Sequence, residues 1–442
     1  MSTLKGLKAR QVLDSRGRPT VEVDAIASNG AVGRAIVPSG ASTGRHEAIE
    51  RRDGQASRYG GLSVFEAVEN VTREIGPAIL GIDLDNQSAI DARLIALDGT
   101  PNKSRLGANA VLGVSLAVAH AAAAARGEEL FVHLNRLWRD RFGTTEREAG
   151  PIEPVLPLPM VNMISGGLHA GGNLDIQDVL IVPVGGSSYS EALEMTVALY
   201  RAVGYVLRQR GFESALVGDE GGYGPRLDNN EQAFEIVVEA MRACGFEPGR
   251  HVAIAVDVAS THFYDPASKT YRLSVNHGPA LDSKGMVDML AGWIETYPII
   301  SIEDGLAEDD WDGWTALTKR LGAKVQLIGD DLFVTQVARL QEGIDRHAGN
   351  SVLIKLNQVG TLSETFDALS LARAHGFRAV ISARSGETED TTIADLAVAT
   401  AAGQIKIGSV ARSERLAKYN RLLRIEEILG PKARFAGGPA AE

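Results

Sequence analysis

Between residues 155 and 409 the sequence repeats one unit, a short apolar β-rich run followed in most cases by a stretch of helical period, and few folds accommodate that beat. The runs are VLPLPMVNMI, DIQDVLIVPV, ESALVGDE, VAIAVDVA, IISIED, VQLIGDD, SVLIKLNQ, RAVISARS and QIKIGS. Strands joined by helical crossovers run parallel, and about eight of them close into a barrel. The first two runs stand side by side with no helix between them, so the first quarter of the barrel is expected to be irregular.

The chain before this repeat reads differently. Thr20 to Ala27 alternates in polarity, Ser28-Asn29-Gly30 supplies a turn, and Val32 to Val37 completes a hairpin. Apolar residues at helical spacing then predict helices near 64–78, 86–97, 106–126 and 129–138. A chain of 442 residues exceeds what one ordinary core organises. The division that follows is an α+β domain over 1–140, a charged Gly/Pro linker over 141–153, the barrel over 154–432 and a flexible tail over 433–442. The most apolar stretch, Leu106 to Ala125, contains Asn109, Ser115 and His120 among many small residues, which predicts a closely packed interior helix and not a membrane span.

Charge narrows the partners. With 45 basic against 56 acidic side chains the net charge is -11, which argues against nucleic acid or an anionic membrane as the main partner. Cys244 is the single cysteine and falls at a predicted helix, so no intrachain disulfide forms and a packed thiol in a reducing compartment is expected. The N-terminus has no apolar signal core, and a cytoplasmic location is the expectation.

Run after run ends on a charged residue: Glu220, Asp257, Glu303, Asp330, Lys355, Arg384 and Lys406. In a parallel barrel those ends share the face on which loops build active sites. A single acid there could merely cap the next helix. Three of them, Asp257, Glu303 and Asp330, repel one another unless a cation lies between, and an all-oxygen set suits Mg²⁺. Lys355 and Lys406 sit in short apolar segments where a buried cation needs a partner. Neighbouring cations and a metal would lower a lysine's pKa towards neutrality, as a general base requires. Such a base facing metal-bound carboxylate oxygens removes the proton α to that carboxylate, the metal stabilising the enolate.

The segments QVLDSRGRPTVE, VPSGASTGRHEA, GANAVLGVSLA, GGLHAGGNLDIQD, VGDEGGYGP, SIEDGLAEDDWDG, GDDLFVT, IKLNQVGTLSET, RSGETEDTTIADLAV and AKYNRLLRIEE resemble, in order, the enolase family across essentially the whole chain. The resemblance implies an enolase-type (β/α)8-like barrel behind an N-terminal α+β capping domain, a hydro-lyase activity, a small anionic phospho- or phosphono-acid substrate, and a homodimer. It implies two Mg²⁺ ions, one held by Asp257, Glu303 and Asp330, the other substrate-dependent and completed by Ser42. Lys355 would take the C2 proton, Glu220 would assist the departing hydroxide, and Lys406 would hold the substrate carboxylate. Arg384 and Ser385 would hold the phosphoryl group, and His169, between glycines, would close over it.

The sequence leaves the family pattern at a few positions. Ala383-Arg384-Ser385 stands where the family reads His-Arg-Ser, Gln177-Asp178 where it reads Gln-Glu, and Ser165 where Asn is usual. His262 replaces a common Glu and reads as tolerated drift. By resemblance, Ala383 and Asp178 belong to the wall where the C3 hydroxyl leaves, Ser165 lies near it and Gln177 contacts substrate, and losing a positioned group on that wall slows 2-phosphoglycerate turnover by on the order of 10² to 10⁴. The expectation is a retained elimination on a modified substrate, such as a carboxyphosphono analogue giving carboxyphosphonoenolpyruvate in phosphonate or phosphinate biosynthesis. The alternatives are an ordinary glycolytic enolase and a non-catalytic scaffold.

Overall fold

The computed structural model describes residues 2–40, 44–142, 153–275 and 278–438. An antiparallel sheet opens the chain, with strands β1 (Leu4–Leu13), β2 (Pro19–Ala27) and β3 (Val32–Ile36) in that order. The β2–β3 hairpin is the expected one. Strand β1 carries few large apolar residues and so gave no alternating signal; it forms by pairing with β2 along its length.

A helical stretch over 65–79 follows, with helices α1 (Gln87–Asp98), α2 (Ala108–Arg126) and α3 (Leu130–Phe142). Helix α2 is the small-residue stretch. It is long and apolar enough to cross a membrane, yet most of it is buried inside this protein. Its small side chains let it lie directly on the sheet: a Cβ on Gly33 of β3 would come within 2.0 Å of the Ala121 backbone nitrogen. Helix α3 runs through Phe142, so the first two residues of the expected linker are helical; residues 143–152 lie outside the described set.

The second unit is a closed eight-stranded barrel. Its strands are β4 (Leu158–Ser165), β5 (Asp178–Val182), β6 (Ala253–Asp257), β7 (Ile299–Glu303), β8 (Gln326–Gly329), β9 (Ser351–Ile354), β10 (Arg378–Ser382) and β11 (Gly403–Gly408), and they follow one another round the ring in chain order. Every neighbouring pair is parallel except those of β5, which runs against both β4 and β6. The irregular first quarter is this reversed strand. The run ESALVGDE is not a strand: Val217 makes only an isolated bridge to Tyr223, and Glu220 lies on the tight turn between them. With no neighbouring strand left unpaired in a closed ring, the run has nothing to join.

Leu158, Met160, Leu180, Val182, Ala255, Ile328, Leu353 and Val380 fill the barrel interior as a separate apolar cluster. They plug one end, which confines polar chemistry to the other. Residues 433–438, expected to begin a flexible tail, are tied down: Leu156 donates to the Arg434 carbonyl at 2.8 Å and Ala436 donates back to Leu156 at 2.9 Å. Cys244 follows the helix Glu231–Ala243 and is a half-buried free thiol whose pKa burial raises.

Candidate active site

Strand alternation carries the barrel-filling residues to the charged ones. Side chains two apart face the same way, so the inward series Leu180, Ala255, Ile328, Leu353 and Val380 continues to Asp178, Asp257, Asp330, Lys355 and Arg384 at the open end. Strand β5 contributes its first residue because it is reversed: Asp178 sits level with Ser165 at the end of β4 and with Asp257 at the end of β6. Strand β7 reaches the same level through a register shift against β6. Lys406 departs from the strand-end expectation, lying inside β11 opposite Ser382 of β10.

Lys406 is the hub of one half of the site. Its ammonium donates to Asp257 Oδ2 at 2.7 Å and to Glu303 Oε2 at 2.8 Å, and all three residues are buried. Asp330 faces the other way. Its Oδ2 pairs with the Lys355 ammonium and its Oδ1 accepts from Gln358 Nε2 at 3.0 Å. The three acids therefore line one face, but two converge on Lys406 and the third on Lys355. Asp304, which the sequence reading passed over, holds this third acid in place: its carboxylate accepts from the Asp330 and Asp331 backbone at 2.9 and 2.8 Å. Asp304, Asp330 and Asp331 offer oxygens close enough together for one cation.

Charge balance fits a hard divalent ion. Burial and then Asp257 push Glu303 well above the usual carboxylate range, and its Oε1 is buried with no hydrogen-bond partner among the described residues. Burial also raises Asp331, to about 8, with Asp330 adding to it. Acids so placed hold protons at neutral pH or hold a cation, and all-oxygen donors select Mg²⁺ over softer metals. The expected downward shift of the lysines is not what these side chains produce among themselves. Burial is the largest influence on both lysines and lowers them, but the surrounding acids together outweigh it, Asp330 and Glu303 at Lys355 and Asp257, Glu303, Asp178 and Glu220 at Lys406, so both are raised.

On the other side lies a second group. His169 was expected in a closing loop between glycines; it occupies a short 3-10 turn, Gly167–Ala170, and is buried. Its Nδ1 lies 2.8 Å from Asp178 Oδ2, and its Nε2 4.0 Å from Glu220 Oε1. Burial lowers His169, yet Asp178 and Glu220 reverse that and lift it to about 9. Asp178, wholly buried, is raised by burial to about 6 in spite of His169. Glu220 is also raised by burial, but His169, Arg415 and Lys406 more than cancel this and hold it below its usual value. At neutral pH the trio is an imidazolium between two carboxylates.

Arg384 lies two residues past β10 and is held by the first domain. It donates from both terminal nitrogens to Glu47, at 2.9 and 3.2 Å, and to Asn357 Oδ1 at 2.9 Å. Ser385 beside it receives Arg16 at 3.4 Å. Glu47 lies in VPSGASTGRHEA and Arg16 in QVLDSRGRPTVE, where no spacing marks either as a partner of Arg384 or Ser385. Gln177 donates to Asp257 at 3.2 Å.

The departures from the family pattern divide in two. Ser165 and Asp178 touch, the serine hydroxyl donating to Asp178 Oδ1 at 2.8 Å. The Ala383 methyl instead joins the main apolar core, and the residue meets the site through its backbone N–H, which donates to the Lys406 carbonyl at 2.8 Å. His262 is exposed. Ser42 lies outside the described residues. A cavity of about 350 Å³ opens elsewhere, beside Leu158, Arg378 and Gln404 at the strand starts, far from these acids along the barrel.

Comparison with known families matches both units. A family described as the enolase N-terminal domain matches residues 4–134, and one described as the enolase C-terminal TIM barrel domain matches residues 153–442.

Proposed function

The chain belongs to the enolase family and is an enolase-type, Mg²⁺-dependent hydro-lyase for a small phospho-acid; on that premise we propose that its own substrate is a modified relative of 2-phosphoglycerate. The observation that carries the reading is the contrast between the two sides of the site. Carboxylates and lysines for proton abstraction are complete, whereas on the opposite side Asp178 spends both oxygens on Ser165 and His169.

In this reading Asp257, Glu303 and Asp330 would hold one Mg²⁺, and Ser42 would complete a second, substrate-dependent site. The bound metal supplies positive charge that stabilises the enolate. Lys355 receives the C2 proton at Nζ. Were Asp330 and Glu303 to ligate the ion, burial, Arg384 and Lys406, each of which lowers Lys355, would be less opposed. Lys406 holds the substrate carboxylate, and Arg384 with Ser385 the phosphoryl or phosphono group, the guanidinium offering a planar fork already oriented by Glu47. As the C2–H pair becomes the C2–C3 double bond, the C3 hydroxyl leaves as water with a proton from the His169–Glu220 side.

On this reading the substrate is a carboxyphosphono analogue, giving carboxyphosphonoenolpyruvate, and the enzyme belongs to phosphonate or phosphinate biosynthesis. The test is the ultraviolet absorbance of the new enol double bond, followed with Mg²⁺ on 2-phosphoglycerate and on the analogue. Faster turnover of the analogue is expected. Equal or faster turnover of 2-phosphoglycerate sinks the modified-substrate reading in favour of an ordinary enolase, and no turnover of either favours a scaffold.

A further inference from the structure

Strand β4 carries two buried polar residues that this chemistry leaves unused, and both reach acids that it does use. Asn162 donates from Nδ2 to Glu220 Oε2 at 3.0 Å, and Ser165 donates from Oγ to Asp178 Oδ1 at 2.8 Å. Residues three apart on a regular strand face opposite ways. Here the register against β5 shifts between Asn162 and Ile164. Leu158 and Met160 point into the barrel, Asn162 continues that face, and the extra residue hands the next inward place to Ser165 in place of Ile164, which joins the outer core. Bulges re-aim side chains in this way beside active sites.

The bulge also docks the turn that carries Glu220. Ser165 donates its backbone N–H to Tyr223 at 2.8 Å, and Tyr223 donates back to Met163 at 2.9 Å. The turn presses so close that a Cβ on Gly222 would stand 2.7 Å from Ser165 Oγ, and one on Gly218 2.9 Å from Ser165 Cβ. The hydroxyl is thereby confined to the rotamer that meets Asp178. Asn162 is fully buried, and its Oδ1 has no hydrogen-bond partner among the described residues. Its amide is kept at a net cost, for the contact with Glu220.

We propose that Asn162 and Ser165 are the positioning residues of the acid side: they fix the carboxylates of Glu220 and Asp178 so that His169, held between them, presents Nε2 to Glu220. Neither touches substrate. The inference rests on the dehydratase reading above for its kinetic arm only. Under it, Ser165→Ala and Asn162→Leu lower kcat by on the order of tenfold to a hundredfold with KM nearly unchanged, the loss expected of a misplaced catalytic group. Ser165→Cys, which keeps the size and a weak donor, recovers part of the loss. Ser165→Ala costs nothing further in an Asp178→Asn background.

Losses that multiply in that double variant, or that fall on KM, overturn the proposal. A second arm uses the free protein and no substrate. With ¹⁵N-labelled histidine, the His169 ring signals, identified by their loss in His169→Gln, are expected to shift in Ser165→Ala and to return towards wild type in Ser165→Cys. Unmoved His169 signals overturn the proposal even where the wild type turns over neither substrate, an outcome that would sink the dehydratase reading alone.

Discussion

Replacing Lys406 by methionine removes the cation that joins Asp257 and Glu303 while keeping an unbranched side chain one atom shorter. The ammonium lies 2.7 Å from one carboxylate and 2.8 Å from the other, and all three groups are almost wholly buried. Breaking a buried pair by removing one partner costs about 3–5 kcal/mol, because the charge left behind has no compensation. Two are left behind here. Glu303, already raised by burial and by Asp257, takes up a proton and keeps the cost inside that range, so the deficit shrinks as pH falls. With an unfolding entropy of about 2.1 cal/mol/K per residue, 442 residues give about 0.9 kcal/mol/K, and the loss becomes a drop of roughly 3–5 °C in Tm. Scanning calorimetry in EDTA should find that drop. In saturating MgCl₂ the same carboxylates bind a divalent ion, and the gap to wild type should narrow to about 1–2 °C. An equal deficit with and without Mg²⁺ would refute the claim that these acids form the cation site, and no deficit in EDTA would refute the charge argument itself.

Arg384→Lys replaces a planar fork on Glu47 by a point charge, and kcat/KM should fall by about tenfold to a hundredfold in steady-state assays. His133, in α3, has its pKa lowered from 6.5 to about 4 by burial and then by Arg136. The unfolded chain therefore binds more protons than the folded one between those values, so stability is full above about 6.5 and is lost as pH falls towards 4, by up to about 3 kcal/mol. Urea midpoints at stepped pH should follow that slope, and His133→Gln should flatten it. Gly33→Val puts side-chain atoms into the α2 backbone, where even a Cβ comes within 2.0 Å of Ala121. It should cost at least 3 kcal/mol in denaturant unfolding or abolish soluble expression. A variant as stable as wild type would show that the helix can move off the sheet.

Much of the barrel was legible because several strands report themselves twice, in an apolar run and in a charged residue two places beyond an inward-facing one. Asp257, Asp330 and Lys355 follow from that rule. Lys406 breaks it, since a cation inside a strand is tolerated only where acids reach it, here Asp257 and Glu303 from β6 and β7 across the barrel. Glu220 was read as a strand end because VGDE looks like its neighbours, but a closed ring of eight has no edge for it. Asp304 and Glu47 escaped notice for a different reason. Their work is to hold other residues, through a backbone cap and a contact between domains, and neither leaves a periodic signal. The bulge in β4 is equally silent: nothing in PMVNMIS announces that one residue is extra, yet it decides whether Ser165 or Ile164 faces the site.

The central claim is that proton abstraction by Lys355 beside a Mg²⁺ site is intact and that the alteration lies on the departure side. Exchange of the C2 proton of 2-phosphoglycerate for solvent deuterium, followed by NMR in D₂O, isolates the first step from the second. Wild-type protein should exchange that proton in a Mg²⁺-dependent reaction even where elimination is slow, and Lys355→Ala should not. Exchange that persists in Lys355→Ala, or that is missing from the wild type with Mg²⁺ present, would contradict the account.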